Sequence, residues 1–328
     1  MIRPLLPLVA ALAVTVVAVA QTRAPTPTPA LAPGEIVAAA PKAEWVTIPA
    51  SDLLVMDLAP PARGPGQASA KDKPRRVVIQ LMPPPFSQGW IGNIRKLAAA
   101  RWWDGLSINR VQDNYVVQWG DADGEDKAKA RKLPKGLAKI LERQYSVPWA
   151  VASLAPPLVG ISFDARQMPD SYSRSAQFSR GWPVADDAFT AWPVHCYGMV
   201  GVGRNLSPDT GSGAELYTVI GHAPRHLDRN IALVGRVIEG IEHLSSLPRG
   251  TGALGFYETP EERTKILSVR LLSEMEVDPV PSYEYLSTES ASFARYADAR
   301  ANRRDPFFIV QAGGADICNI PVPVRRVK

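Results

Sequence analysis

Cysteine and histidine are scarce in this sequence, which has two cysteines and four histidines in 328 residues. Two cysteines cannot build a zinc ribbon, and the histidines at positions 195, 222, 226 and 243 lack metal-ligand spacing. The sequence also lacks a GxSxG elbow and a P-loop. Its glycine-rich stretch at 198–203 is flanked by strand-like sequence, whereas a cofactor-binding glycine loop should follow a strand and open a helix. We therefore predict an activity that uses no metal and no cofactor.

A concentrated charge of one sign is also absent. The net charge is +5, and the basic residues are scattered except in KAKARK (127–132) and the terminal VRRVK. Short runs of this kind are typical of solvated surface. We predict no nucleic-acid partner.

Long hydrophobic runs are missing after residue 20, and the one near the start is short. Arg3 precedes an apolar stretch over residues 5–19, which ends in Ala18-Val19-Ala20. A spanning helix needs about 20 apolar residues, so a retained anchor helix is the weaker alternative to a cleaved signal peptide over residues 1–20. We expect a periplasmic or secreted protein with no stable membrane insertion after cleavage.

The two cysteines, Cys196 and Cys318, acquire a possible role in such a compartment. Exported proteins can form disulfides, and these two residues would join the end of the chain to its middle. Spacing alone cannot decide pairing, so a bridge and two buried free thiols both stay open.

What the sequence does contain is many short strand-like runs separated by 24 glycines and 31 prolines. Residues 21–44 are rich in proline and alanine and predict an extended linker. Helical periodicity predicts a helix at 88–101, a second within 127–144 and a terminal one at 290–303. With few helices and no βαβ rhythm, the pattern favours a mainly β protein, a closed antiparallel barrel capped by helices.

One of these runs, INRVQDNYVVQWGD (108–121), contains an unexpected charge. Two strand-like segments, 108–111 and 115–119, are joined by a turn at Asp113 and Asn114. Arg110 interrupts the first segment, and a guanidinium costs free energy if it is buried without a partner. From the residues alone, an arginine on a strand is usually one partner of a surface ion pair.

The order of these segments resembles the cyclophilin-type peptidyl-prolyl cis-trans isomerases. The resemblance rests on VVIQL, LAAARWWDGL, INRVQDNYVVQWGD, HCYGMVGVGR, GSGAELYTV, PRHLDRNIALVGRVIEGIEHL and KILSVRL, in that order. It implies a closed eight-stranded barrel over residues 45–272, with an insertion at 122–194 and a C-terminal extension at 273–328.

The same resemblance implies a peptide-binding groove on the outside of the barrel. Its catalytic residues would be Arg110, Tyr115 and Gln118. Its substrate-binding residues would be Val116, Gly203, Arg204, Glu215, Tyr217, His226, Leu227 and Ile231.

Several of these residues depart from the family pattern. Tyr115 and Tyr217 stand where phenylalanine is usual, Glu215 where glutamine is usual, and Arg204 where asparagine is usual. Gly203, His226 and Ile231 replace alanine, tryptophan and histidine. If the carboxylate of Glu215 pairs with Arg110, we expect it to draw hydrogen-bond donors away from the substrate.

The resemblance implies an isomerase that assists the folding of exported proteins by binding their proline-containing segments. A catalytically weak protein of the same fold that binds such segments as a chaperone or scaffold is the alternative. A secreted hydrolase is disfavoured because no Ser-His-Asp set can be placed. The sequence leaves the oligomeric state open.

Overall fold

The computed structural model describes residues 30–60, 74–152 and 170–327. The predicted signal peptide lies outside the described residues, as does the first part of the predicted linker.

The described residues form fifteen strands and five α-helices. The strands are β1 (Trp45–Ile48), β2 (Leu53–Leu58), β3 (Arg75–Leu81), β4 (Ser107–Val111), β5 (Val116–Gly120), β6 (Val147–Pro148), β7 (Ser175–Ser179), β8 (Trp182–Asp186), β9 (Thr190–Pro193), β10 (Met199–Val202), β11 (Leu216–Val219), β12 (Leu233–Glu239), β13 (Thr264–Leu271), β14 (Tyr283–Leu286) and β15 (Val324–Arg326). The helices are α1 (Pro33–Ala38), α2 (Gln88–Ala99), α3 (Trp149–Ala152), α4 (Glu242–Ser245) and α5 (Ala291–Ala301).

Eight of the strands close into an antiparallel barrel. Their order around it is β10, β11, β5, β4, β13, β2, β3 and β12, and β12 pairs again with β10. Alternate residues point inward, so that Val117 and Trp119 of β5 are fully buried while Gln118 between them is half-buried on the outer face. The fold predicted from the sequence is confirmed.

Helix α2 covers one side of the barrel, and it occupies most of the span predicted at 88–101. Its apolar stripe buries Trp90, Ile94 and Leu97 completely. The Trp90 indole N–H also donates to the carbonyl of Thr210 at 3.0 Å. The helix thereby fixes the segment that leads into β11.

The insertion contains a small sheet instead of the helix predicted within 127–144. Strands β6, β9, β8 and β7 pair in that order. Only a single 3₁₀ turn, Glu142–Tyr145, is helical in the predicted span. Pro134 lacks an N–H, and Gly136 adopts a φ of +80°, so neither residue fits a continuous helix.

The N-terminal segment and the C-terminal extension pack against each other. β1 pairs with β14, which pairs with β15, in a three-stranded sheet outside the barrel. The linker predicted at 21–44 is wrong for its described part, because α1 packs against α5 with Ile36 buried. The Glu35 carboxylate supports α1 by accepting the Ala32 N–H at 2.7 Å.

A disulfide joins Cys196 to Cys318, whose Cα atoms are 5.1 Å apart. Of the two possibilities left open by the sequence, the structure contains the bridge. It fastens the C-terminal extension to the segment that enters β10. No helix in the described part of the chain has the length and apolar character of a bilayer span.

Candidate active site

The hairpin of β4 and β5 places Arg110 on the outer face of the barrel. The β4–β5 register shifts between Ile108 and Arg110, so that Ile108 is buried inside and Arg110 stands opposite Gln118. Gln118 in turn pairs with Tyr217 of β11, and Tyr217 pairs with Gly201 of β10. Because paired residues share a face of a sheet, these four form one row across four strands.

Three acceptors hold the Arg110 guanidinium. Its Nε donates to the carbonyl oxygen of Leu254 at 2.7 Å, and its Nη1 donates to Gln118 Oε1 at 3.3 Å. Its Nη2 donates to Gln112 Oε1. Burial lowers the pKa of Arg110, but an arginine stays protonated at any ordinary pH. The site therefore contains a fixed and permanent positive charge.

An apolar slot lies beside this guanidinium. It is formed by Tyr115, Val116, Tyr217, Leu227 and Ile231, of which Val116 and Tyr217 are buried and the others half-buried. The Arg110 guanidinium carbon is 5.7 Å from the centre of the Tyr115 ring, within the range of a cation–π contact. The slot and the charge therefore face the same space.

Ten of the eleven site residues predicted from the sequence line one cavity of about 760 Å³, which opens to solvent. His226 is the exception. It is exposed, and its ring stacks on the outer side of Tyr115 with 6.4 Å between ring centres and 14° between planes. His226 therefore supports a wall of the apolar slot from outside.

Glu215 lies in the wall of the cavity away from the apolar slot. Its carboxyl accepts the Asp121 backbone N–H at 2.6 Å and hydrogen-bonds to the side chains of Asn109 and Gln118. Burial raises the pKa of Glu215 to about 7. The ion pair with Arg110 considered from the sequence does not form among the described residues, because each group is bound to other partners.

Gly120 leaves the room that this carboxyl occupies. A Cβ atom built on Gly120 would overlap the Glu215 carboxyl group, and the φ of +152° at Gly120 is one that side chains rarely adopt. Gly203 has a similar effect, because its Cβ would lie 2.9 Å from that of Glu215. Both glycines thus allow a carboxyl to sit inside the cavity wall.

Arg204 is on the rim of the cavity. It donates from Nε to the carbonyl of Asn230 at 3.0 Å and from Nη1 to the carbonyl of Asn205 at 2.7 Å. The first bond connects the end of β10 to the turn that precedes β12. Arg204 therefore lies beside the apolar slot as a second positive charge.

Sequence reasoning missed the residues that reach the site from distant loops. Leu254 and Phe256 follow β12 in the chain by more than a dozen residues, yet Leu254 accepts from Arg110, and the Phe256 ring centre is 5.3 Å from the guanidinium carbon. The only signal in this stretch is its glycines, Gly250, Gly252 and Gly255, which permit a tight loop. Nothing in the sequence indicates where that loop lies.

Comparison with known proteins identifies the family. The family model described as "Cyclophilin type peptidyl-prolyl cis-trans isomerase/CLD" matches residues 89–271, more than half of the chain. No curated protein matches the sequence.

Solved structures are similar in fold. Cyclophilin AquaCyp293 from Hirschia baltica has a TM-score of 0.60 at 19% identity, covering 86% of this chain and 93% of that one. A cyclophilin type peptidyl-prolyl cis-trans isomerase from Cryptosporidium parvum, solved in the presence of the dipeptide Ala-Pro, has a TM-score of 0.33 at 11% identity. It covers 60% of this chain and 92% of that one.

Proposed function

Because the chain belongs to the cyclophilin-type peptidyl-prolyl cis-trans isomerases, we propose that it rotates X–Pro bonds in exported proteins, with Arg110 stabilising the twisted amide. The observation that carries this proposal is the fixed guanidinium of Arg110 beside the apolar slot.

The reaction makes and breaks no covalent bond, so a catalyst needs only to stabilise the charge that develops as the amide twists. Amide resonance opposes rotation with a barrier of about 18–20 kcal/mol, and it draws the lone pair of the proline nitrogen into the C–N bond. As the bond twists, this lone pair localises on nitrogen. A hydrogen-bond donor aimed at that nitrogen binds the twisted state more strongly than the planar one, which is what lowers the barrier.

The Arg110 guanidinium has more hydrogen-bond donors than its contacts with the described residues use. A guanidinium carries five N–H groups, and three of those in Arg110 bind Leu254, Gln118 and Gln112. Within the described part of the chain, one N–H on each terminal nitrogen is left for a substrate. The three bonds fix the direction of the remaining two, so little reorganisation is needed when the amide twists.

The apolar slot suits the pyrrolidine ring of proline. Tyr217 closes its bottom, and Val116, Leu227 and Ile231 give it apolar walls. With the ring held there, the residue before proline is free to rotate in the open part of the cavity. Gln118, which accepts from Arg110, is placed to hydrogen-bond the peptide backbone beside the slot.

Turnover and affinity measured together test the role of Arg110. Arg110→Ala should lower isomerisation of an Ala-Pro peptide by a factor of about 10², while peptide affinity falls far less because the planar amide loses little. Arg76→Ala is the matched control, since Arg76 pairs with Asp57 at 2.8 Å on another part of the barrel. Wild-type turnover in Arg110→Ala would contradict the catalytic role and favour the binding-module alternative, provided that Tyr115→Ala still abolished peptide binding.

The cellular part of the proposal rests on the N-terminal sequence and on the disulfide. Arg3, the apolar stretch at 5–19 and the small residues at 18–20 have the order of a signal peptide, and disulfides persist in oxidising compartments. N-terminal sequencing of the protein from the envelope fraction should find a chain that starts near Gln21. An intact Met1 chain in the cytosol would refute export.

A further inference from the structure

The hydroxyl group of Tyr217 lies behind the apolar slot, away from the space that a substrate would occupy. Tyr217 is 5% exposed, and its ring crosses Gly201 on the neighbouring strand. A Cβ atom built on Gly201 would overlap the ring and the hydroxyl oxygen. The glycine therefore lets the phenol reach past β10 into the protein interior.

His195 meets that hydroxyl in the interior. Its Nε2 is 2.8 Å from the Tyr217 hydroxyl oxygen, and its Nδ1 is 2.8 Å from Oδ1 of Asp228. The two rings lie within 10° of parallel, and His195 is 0% exposed. A carboxylate can only accept, so Nδ1 carries a proton, and in the neutral imidazole Nε2 then accepts from the tyrosine. Burial raises the pKa of Tyr217 well above 10, which keeps this hydroxyl a donor.

Asp228 connects the same chain of hydrogen bonds to the opposite wall of the slot. It directly follows Leu227, and its carboxylate also accepts the His195 backbone N–H at 3.0 Å and Arg225 Nε at 2.7 Å. The other side of the Arg225 guanidinium binds Asp170 in the insertion. One buried network thus joins Tyr217 to the turn that carries Leu227.

We propose that His195 is a positioning residue of the isomerase, which holds Tyr217 and the Leu227 turn at the separation that a proline ring requires. The proposal rests on the proposed function in one respect, namely that the apolar slot binds proline. His195 touches neither substrate nor reacting atoms, so its effect falls on substrate affinity more than on the rotation step. Tyr217 without its hydroxyl could not be held in this way.

A buried histidine with two satisfied nitrogens could also serve stability alone, and two substitutions separate these roles. The amide of asparagine extends about as far as Nδ1, so His195→Asn keeps a donor for Asp228 and leaves the Tyr217 hydroxyl without an acceptor. The amide of glutamine extends about as far as Nε2, so His195→Gln keeps an acceptor for Tyr217. Both variants remove the same ring and should lower the melting temperature similarly.

The test measures the Kd of an Ala-Pro peptide by NMR titration and kcat by NMR exchange in both variants. His195→Asn should raise the Kd by about fivefold to tenfold, the effect of one lost buried hydrogen bond, with kcat changed less than about twofold. His195→Gln should stay within about twofold of the wild-type Kd. Equal Kd values for the two variants would overturn the proposal, because the loss would then not depend on Tyr217.

A second set of variants removes the hydroxyl itself. In a Tyr217→Phe background, His195→Asn and His195→Gln should give the same Kd. A persisting difference between them would overturn the proposal. Tyr217→Phe alone should raise the Kd about threefold or more; wild-type affinity there would also overturn it, even if the His195 variants fail to fold. Wild-type turnover in Arg110→Ala would refute the catalytic role of Arg110 and leave this pattern of Kd values unchanged, so the two failures are distinguishable.

Discussion

The carbonyl oxygen of Leu254 accepts a hydrogen bond from Arg110 Nε, although 144 positions separate the two residues in the chain. Phe256, two residues further on, forms an isolated β-bridge with Arg110 and faces its guanidinium. The loop that contains both residues therefore fixes the direction of the charge on the outer face of the barrel. This bond and the contact with Gln118 require a planar group with several donors.

Replacement of Arg110 by lysine should therefore lose most of the activity even though the charge is kept. A single ammonium group cannot bind Leu254 and Gln118 and still present two directed N–H groups to a substrate. We expect Arg110→Lys to lower turnover by about tenfold or more, measured on an Ala-Pro peptide. Arg249→Lys is a suitable control, because Arg249 makes an exposed pair with Asp113 in the same region. Wild-type turnover in Arg110→Lys would contradict the need for a directed fork.

Glu215 should make the stability of the protein depend on pH. Its pKa rises from an ordinary value of 4.5 to about 7 in the fold, where burial disfavours the charged form. Unfolding therefore releases a proton between these values, and the free energy of unfolding falls as the pH rises from about 4.5 through 7. The full difference corresponds to at most about 3 kcal/mol.

Glu215→Gln should remove this pH dependence, because the amide stays neutral and can still accept from Asp121. Urea denaturation at pH 5 and pH 8 measures the effect. We expect the wild type to lose stability relative to Glu215→Gln between these two pH values. Parallel pH profiles for the two proteins would show that the carboxyl does not titrate in this range.

Removal of the disulfide should destabilise the protein without abolishing its active site. Cys196 and Cys318 are separated by 122 positions, and chain entropy predicts a loss of up to about 4–5 kcal/mol for a loop of this size. The double variant Cys196→Ser/Cys318→Ser should therefore unfold at lower urea concentration. Thiol titration of the denatured, unreduced wild type should find no free thiol, and two titratable thiols would refute the bridge.

Local sequence patterns were sufficient to predict the hairpin of β4 and β5, and the resemblance to the family then assigned Arg110 and Gln118 on it to the site. Arg110 and Gln118 lie on either side of a short turn. Once the two segments are strands, the turn therefore sets the register that places these residues opposite each other. The barrel was predictable for a related reason, since each of its strands carries a run of β-branched or apolar residues.

Contacts made across long distances in the chain were not predictable. The bond from Arg110 to Leu254 depends on a loop whose position follows from the packing of the whole barrel. Helix α1 was missed because six residues make too weak a local signal, and it is stabilised by burial of Ile36 beside α5. The helix expected within 127–144 was wrong because Pro134 and Gly136 interrupt it, although Leu137 and Ile140 still pack against the core.

The sheet of β1, β14 and β15 can assemble only late in the synthesis of the chain. Trp45 pairs with Leu286, so a ribosome completes the first strand long before it makes the partner of that strand. Until then β1 presents an unpaired edge, which can pair with another chain. β1 is therefore made early and paired late. It can join its sheet only after residues 283–286 have emerged.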